Sequence, residues 1–299
     1  MPNVTRSAPS FAKANGIELC FDTFGDAQAP PLLLIMGLAA QMIAWDDEFC
    51  IALAGRGYRV IRFDNRDIGL STRFDSAGLP DITAAFMAAM QGKPVAAPYR
   101  LSDMAGDAVG LLDWLGIDTA HVVGASMGGA IGQTLAIEHA SRLRSLTSIM
   151  STSGAPGLPG PAPQALAVLF KPTPTDRAGY FDSYVQTWKV LRAGSFPLDE
   201  ARDLARAEQN FARGLNPAGV ARQMAAILAS GSRKQALRGV TVPTLVIHGD
   251  ADPLVPLACG VDVAESVPGA KLLVVPGMGH ALPIPMWPQI VDAISAHAA

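Results

Sequence analysis

His121-Val122-Val123-Gly124-Ala125-Ser126-Met127-Gly128-Gly129-Ala130-Ile131 joins a short apolar run to a helix-like one across a serine held between small residues. The apolar run has no polar alternation and reads as a strand buried on both faces, while Ile131, Leu135 and Ile137 follow with helical spacing. A G-x-S-x-G sequence in that strand–turn–helix setting lifts a serine hydroxyl to the top of a sheet. Small neighbours are needed because the turn strains the serine backbone and brings other chain segments close. The start of the following helix also favours negative charge developing beside the serine.

Working outward, the same strand pattern recurs at Leu32-Leu33-Leu34-Ile35, Val60-Ile61-Arg62-Phe63, Thr244-Leu245-Val246-Ile247 and Leu272-Leu273-Val274-Val275. Helical spacing separates these runs, as in Met104, Ala108, Leu111, Leu112 and Leu115, with Ser102 as the expected N-cap and Gly116 as the stop. The alternation predicts an α/β fold with a mostly parallel central sheet flanked by helices and ligands at the carboxyl ends of its strands. Near the N-terminus, Ile17 to Phe24 leads through Gly25-Asp26 to Leu32 with no room for a crossover helix, so the sheet is expected to open antiparallel. Trp287, Ile290, Val291 and Ile294 read as a closing amphipathic helix.

Residues 154–238 break this rhythm, being rich in Pro, Ala and Arg with helical pieces and no convincing strand. They are read as an inserted helical cap, with residues 1–153 and 239–299 forming the core domain. A shorter stretch, Ile82 to Met90 with Phe86, Met87 and Met90, reads either as a second wall of the same cleft or as a surface helix.

The 299 residues fit one catalytic core plus an insertion, and 49% hydrophobic against 16% charged residues marks a well-packed globular chain. A net charge of -3 without basic clusters argues against nucleic acid or an anionic membrane as partner. No run reaches the length of a membrane span, and the stretch from Met1 to Gly16 lacks the apolar core of a secretion signal. Cys20, Cys50 and Cys259 form no C-x-x-C pair and read as free thiols in a reducing cytoplasm. A monomer and a small homo-oligomer are both compatible with the sequence.

A serine hydroxyl needs an adjacent base, normally a histidine oriented by a carboxylate. Of the five histidines, only His280 lies in a loop after a late strand, within Pro276-Gly277-Met278-Gly279-His280. The acid is expected after the strand ending in Ile247, where Asp250 and Asp252 both stand in His248-Gly249-Asp250-Ala251-Asp252-Pro253. Asp252 is the choice because the following proline holds it extended, and Asp250 is expected to shape the turn. Two backbone N–H groups aimed at an oxyanion complete the chemistry. Met127 and Leu38, the latter in Met36-Gly37-Leu38-Ala39-Ala40, are the expected donors.

With these residues in hand, residues 16–297 resemble the α/β-hydrolase superfamily. The set Leu34-Ile35-Met36-Gly37-Leu38, Asp64-Asn65-Arg66-Asp67-Ile68-Gly69-Leu70-Ser71, Gly124-Ala125-Ser126-Met127-Gly128-Gly129 and Gly277-Met278-Gly279-His280 is similar to the branch containing aclacinomycin methylesterase and related bacterial carboxylesterases. The resemblance implies a cofactor-free serine esterase with a helical cap, and an architectural role for the Asp64 to Ser71 segment. Many relatives carry a His-Gly pair before the oxyanion donor; Met36 stands at that histidine position, as it does in this branch.

The expected activity is hydrolysis of a neutral, apolar small-molecule carboxylic ester through an acyl-enzyme, with Met36, Trp45, Trp188 and Met278 as candidate substrate contacts. Thioesterase, perhydrolase, amidase and carbon–carbon bond hydrolase activities use the same residues and stay open, as does a non-enzymatic ligand-binding role. No histidines or cysteines have metal-ligand spacing, so no metal is expected.

Overall fold

The computed structural model describes residues 4–299. Strands β1 (Ser10–Ala14) and β2 (Ile17–Phe24) form an antiparallel hairpin. Six further strands, β3 (Pro31–Ile35), β4 (Arg59–Phe63), β5 (Ala120–Ala125), β6 (Leu143–Ile149), β7 (Thr244–Gly249) and β8 (Lys271–Val275), run parallel to one another. All belong to one 8-stranded sheet of order β1-β2-β4-β3-β5-β6-β7-β8, joined to the hairpin by antiparallel pairing of β2 with β4. The sheet is mostly parallel and opens antiparallel, as the sequence predicts.

The core helices are α1 (Asp47–Ala54), α2 (Ile82–Met90), α3 (Leu101–Trp114) and α4 (Met127–Glu138). Leu33, Ile35, Ile61 and Phe63 point to the face covered by α3 and α4, where Met104, Leu111 and Leu135 meet them. Leu32, Leu34 and Val60 point to the other face and pack with Phe49 of α1 and with Ile290 near the C-terminus. Two covered faces explain why β3 and β5 lack alternation, and each such buried side chain contributes about 1.5–3 kcal/mol. The α3 helix starts earlier than expected: its N-cap is Arg100, whose N–H donates to the Asp103 carboxylate at 2.7 Å, so Ser102 lies inside the helix.

Between β6 and β7 the described residues hold helices only: α5 (Pro163–Leu169), α6 (Arg177–Leu191), α7 (Glu200–Arg213), α8 (Pro217–Ser230) and α9 (Lys234–Leu237). The chain leaves and rejoins the sheet side by side, the Arg233 N–H donating to the Ser153 carbonyl at 2.8 Å. Arginines of this segment then reach down to aspartates below it. Arg222 pairs with Asp67 at 2.7 Å, Arg213 with Asp64, and Arg206 with Asp46.

Asp64, Arg66 and Ser71 brace the segment under those contacts. The Asp64 carboxylate accepts the Met42 and Leu70 amides at 2.7 and 3.0 Å, Arg66 donates to Asp107 at 2.6 Å, and Ser71 Oγ donates to the Asp64 carbonyl at 2.6 Å. Gly69, at φ +56°, passes so close to Asp64 that a Cβ there would collide with its carboxylate.

The last two helices are α10 (Leu257–Ser266) and α11 (Trp287–His297). No helix among the described residues is long and apolar enough to cross a membrane. Because β3 is followed by β4 on one side and flanked by β5 on the other, the sheet has its switch point between β3 and β5. A crevice opens at their carboxyl ends, where the chain continues into Met36 and Ser126.

Candidate active site

Ser126 occupies the turn between β5 and α4 with φ +55° and ψ -119°, a strained conformation for a non-glycine residue that costs on the order of 1–3 kcal/mol. The turn is tight enough that a Cβ on Gly124 would collide with the Gly128 carbonyl, and one on Gly128 with the Ile35 carbonyl. Glycine is therefore required on both sides, and α4 packs directly onto the end of β3. Gly37 is likewise pressed against the nucleophile: a Cβ there would stand 3.0 Å from Ser126 Cβ and 3.5 Å from its Oγ.

His280 comes from the loop after β8 and brings Nε2 to 3.0 Å from Ser126 Oγ. Its amide donates to the Leu191 carbonyl at 2.7 Å, so α6 fixes the backbone from which the imidazole projects. On the opposite side of the ring, Nδ1 lies 2.8 Å from Asp252 Oδ2. The other Asp252 oxygen accepts the Leu254 and Val255 amides, each at 2.9 Å, which holds the carboxylate in one orientation. Asp250 faces elsewhere and accepts the Gly277 amide at 2.6 Å.

A second imidazole borders this carboxylate. His248 Nε2 lies 3.8 Å from Asp252 but donates to the Val255 carbonyl at 2.7 Å, and burial pushes its pKa down, which keeps it neutral. It therefore supports the loop without competing with His280 for the negative charge.

Leu38 and Met127 flank the serine, and neither amide has an acceptor among the described residues. The loop carrying Leu38 is pinned on both sides. Asn65 Nδ2 donates to the Met36 carbonyl at 2.9 Å, and Gln223 of α8 accepts the Ala39 amide at 3.2 Å while donating to the Arg66 carbonyl at 2.8 Å.

Above Ser126 lies a cavity of about 1130 Å³, enough for a drug-sized molecule. Met36, Trp45 and Trp188 line it, together with Ser126, His280, Leu38 and Met127. Met278 does not reach it. That side chain is wholly buried in the core against Gly249, where a Cβ would come within 2.8 Å of its own, so the assignment of Met278 to substrate contact is corrected.

The other cavity walls come from parts of the fold that no local motif marked. Tyr180, Tyr184 and Trp188 form a stripe along α6, with ring centroids 5.9 and 6.0 Å apart, and their i, i+4 spacing was the available signal. Gln41, Asn210 and Leu282 carried no such signal. From the shorter stretch, Ala89 of α2 contributes to the wall while Met87 and Met90 remain exposed. Five of the charged lining residues are in ion pairs, Arg192 with Asp203 at 2.5 Å and both Arg202 and Arg206 with Asp46. No group of three or more potential metal-ligating side chains occurs among the described residues.

Comparisons with known proteins bear on the family and the fold. The profile of the family described as alpha/beta hydrolase fold matches residues 30–285. Rhodomycin D methylesterase DnrP of Streptomyces peucetius is 32% identical, over 94% of this chain and 95% of its own. Rhodomycin D methylesterase DauP of Streptomyces sp. (strain C5) is 30% identical over the same shares, 94% and 95%. Among solved structures, the enol-lactonase from Burkholderia xenovorans LB400 superposes with a TM-score of 0.72 at 23% identity, covering 96% of this chain and 99% of that one, a likeness of fold.

Proposed function

The chain belongs to the α/β hydrolase fold family and is a hydrolase of the esterase type, and on that premise we propose that it cleaves a carboxylic ester through an acyl-enzyme formed on Ser126. The observation that carries the reading is the continuous chain from Ser126 Oγ to His280 at 3.0 Å and from His280 to Asp252 at 2.8 Å.

In this mechanism His280 Nε2 takes the Ser126 proton as Oγ attacks the ester carbonyl. Asp252 holds the imidazole in the Nδ1–H tautomer and stabilises its cationic form. The carbonyl oxygen becomes an oxyanion held by the Leu38 and Met127 amides, the second of which opens α4 and adds the positive end of the helix. Collapse expels the alcohol, which leaves with the proton from His280. A water molecule then gives a proton to His280 as its oxygen attacks the acyl carbonyl, and collapse of this second intermediate returns that proton from His280 to Ser126 Oγ and releases the acid.

Residues 154–238 act as a cap over the core formed by residues 1–153 and 239–299, and the aromatic stripe of α6 supports this reading because it faces the cavity over Ser126. The mainly apolar walls, including Met36, Trp45 and Trp188, suit an ester with a largely apolar body. Relatives named as methylesterases over nearly the whole chain favour an oxygen ester above a thioester, an amide or a carbon–carbon bond. Three free and buried cysteines favour a reducing, cytoplasmic setting.

The test is turnover of p-nitrophenyl esters of graded acyl length beside the matching thioesters and anilides, with Ser126→Ala as control. Ester hydrolysis that dominates and disappears in the control supports the reading, and dominant thioester or anilide cleavage overturns it.

A further inference from the structure

The cavity over Ser126 opens to solvent beside the ends of α2 and α5. Lys93, just after α2, and Lys171, just after α5, are exposed and line the cavity, so both stand at its mouth. Arg100 is a third exposed cation on this rim. The two acidic lining residues, Asp46 and Asp203, are not exposed and are engaged by Arg192, Arg202 and Arg206. Lys93, Arg100 and Lys171 form no ion pair among the described residues. The net charge of -3 conceals this pattern, because only folding brings these cations to one rim.

The same two helices expose apolar side chains next to the cations. None of the nine residues of α2 is charged, and the helix packs on α8 with Ala85 buried. Its Phe86, Met87 and Met90 are 38, 52 and 72% exposed, and Phe170 after α5 is 43% exposed. The Phe86 and Phe170 rings meet edge to face with centroids 6.0 Å apart, so the two helices share one patch. Lys171 directly follows Phe170, and the Lys93 amide donates to the Ala88 carbonyl at 2.9 Å, which folds Lys93 back against α2. A single exposed apolar side chain needs no explanation, whereas a joined set rimmed by charge marks an interaction site.

Apolar side chains flanked by unpaired cations match the boundary of a lipid layer. The apolar groups enter the acyl region, the lysine stems follow them, and the charged heads meet anionic headgroups. A protein seated on this rim would cover the mouth above Ser126, whereas a lipid surface leaves the mouth facing the layer in which an apolar ester dissolves. We infer that the rim formed by α2 and α5 docks on an anionic lipid surface, with Phe86, Met87, Met90 and Phe170 inserted and Lys93, Arg100 and Lys171 on the headgroups. Docking goes beyond the esterase reading and needs no turnover, so the two can fail separately.

The test is cosedimentation of the full chain with vesicles of phosphatidylcholine alone and of phosphatidylcholine containing phosphatidylglycerol. Binding should be stronger to the mixed vesicles and should weaken as salt is raised. Lys93→Gln combined with Lys171→Gln should weaken it by about 25-fold, or about fivefold for each cation, the factor that about 1 kcal/mol represents. Met87→Gln combined with Met90→Gln should weaken it by about tenfold or more, through lost apolar contact with the acyl boundary. All four side chains are exposed, so both variants should melt as the wild type does. No binding to the mixed vesicles, or binding as strong in both variants as in the wild type, overturns the docking surface. A wild-type dimer in the absence of vesicles that Met87→Gln combined with Met90→Gln dissociates would assign the patch to a second copy of the chain, and that overturns it too.

Discussion

His280 Nδ1 lies 2.8 Å from Asp252 Oδ2, and the two side chains are 7% and 0% exposed, so the carboxylate acts on the imidazole with little screening by solvent. Asp250, two positions earlier, spends its carboxylate on the Gly277 amide. Asp252→Asn should therefore lower kcat by roughly 10⁴ with little change in KM. Asp250→Asn should cost about 1 kcal/mol of stability for a weakened hydrogen bond and keep most activity in the folded fraction. Saturating kinetics well below the melting temperature check the pair, and the reverse pattern would make Asp250 the acid.

Gln223 ties α8 to the loop that carries the Leu38 amide, accepting from Ala39 and donating to the Arg66 carbonyl. Gln223→Leu keeps the volume and removes both bonds. The expected outcome is a loss of about tenfold or more in kcat with a smaller change in KM, since a donor set slightly out of place is felt mainly in the transition state. A rise in KM alone at unchanged kcat would contradict a positioning role.

Arg222 and Asp67 form a buried pair across the base of the helical segment, with side chains 1% and 0% exposed. Arg222→Met leaves the Asp67 carboxylate without its counter-charge, and the expected cost is on the order of 3 kcal/mol. Denaturant unfolding measures it. A loss below about 1 kcal/mol would show that Tyr99 and Asn216, which also donate to Asp67, suffice to hold it.

Burial lowers the pKa of His121 from 6.5 to about 4, its ring lying 2.9 Å from Ser145 Oγ on the neighbouring strand. Because the folded value lies below the unfolded one, unfolding takes up a proton between those limits. The stability that His121 contributes is complete above about pH 6.5 and is lost as pH falls towards 4. His121→Gln should flatten the decline of melting temperature across that window. An unchanged slope would assign the acid sensitivity to other groups.

The strand–turn–helix around Ser126 and the glycine-flanked loop of His280 are local signals, so the parallel sheet and the loops that converge at its switch point could be read before folding. Choosing Asp252 over Asp250 depended on one proline. Met278 was misassigned because nearness in sequence to His280 does not fix side-chain direction, and β7 draws it into the core beside Gly249. Gln41, Asn210 and Gln223 were illegible for another reason: their roles arise only when the helices between β6 and β7 settle on the core, contacts spanning more than 150 residues.

The most direct measurement is intact-mass and peptide mapping after reaction with a fluorophosphonate, performed in parallel on the wild-type protein and Ser126→Ala. One adduct per wild-type chain is expected, mapped to Ser126 and formed in step with loss of aryl-ester turnover. Ser126→Ala should fold normally, take no adduct and show kcat lower by on the order of 10⁴ to 10⁶. Labelling of Ser126→Ala at the wild-type rate, or an adduct elsewhere that tracks the loss of activity, would contradict it.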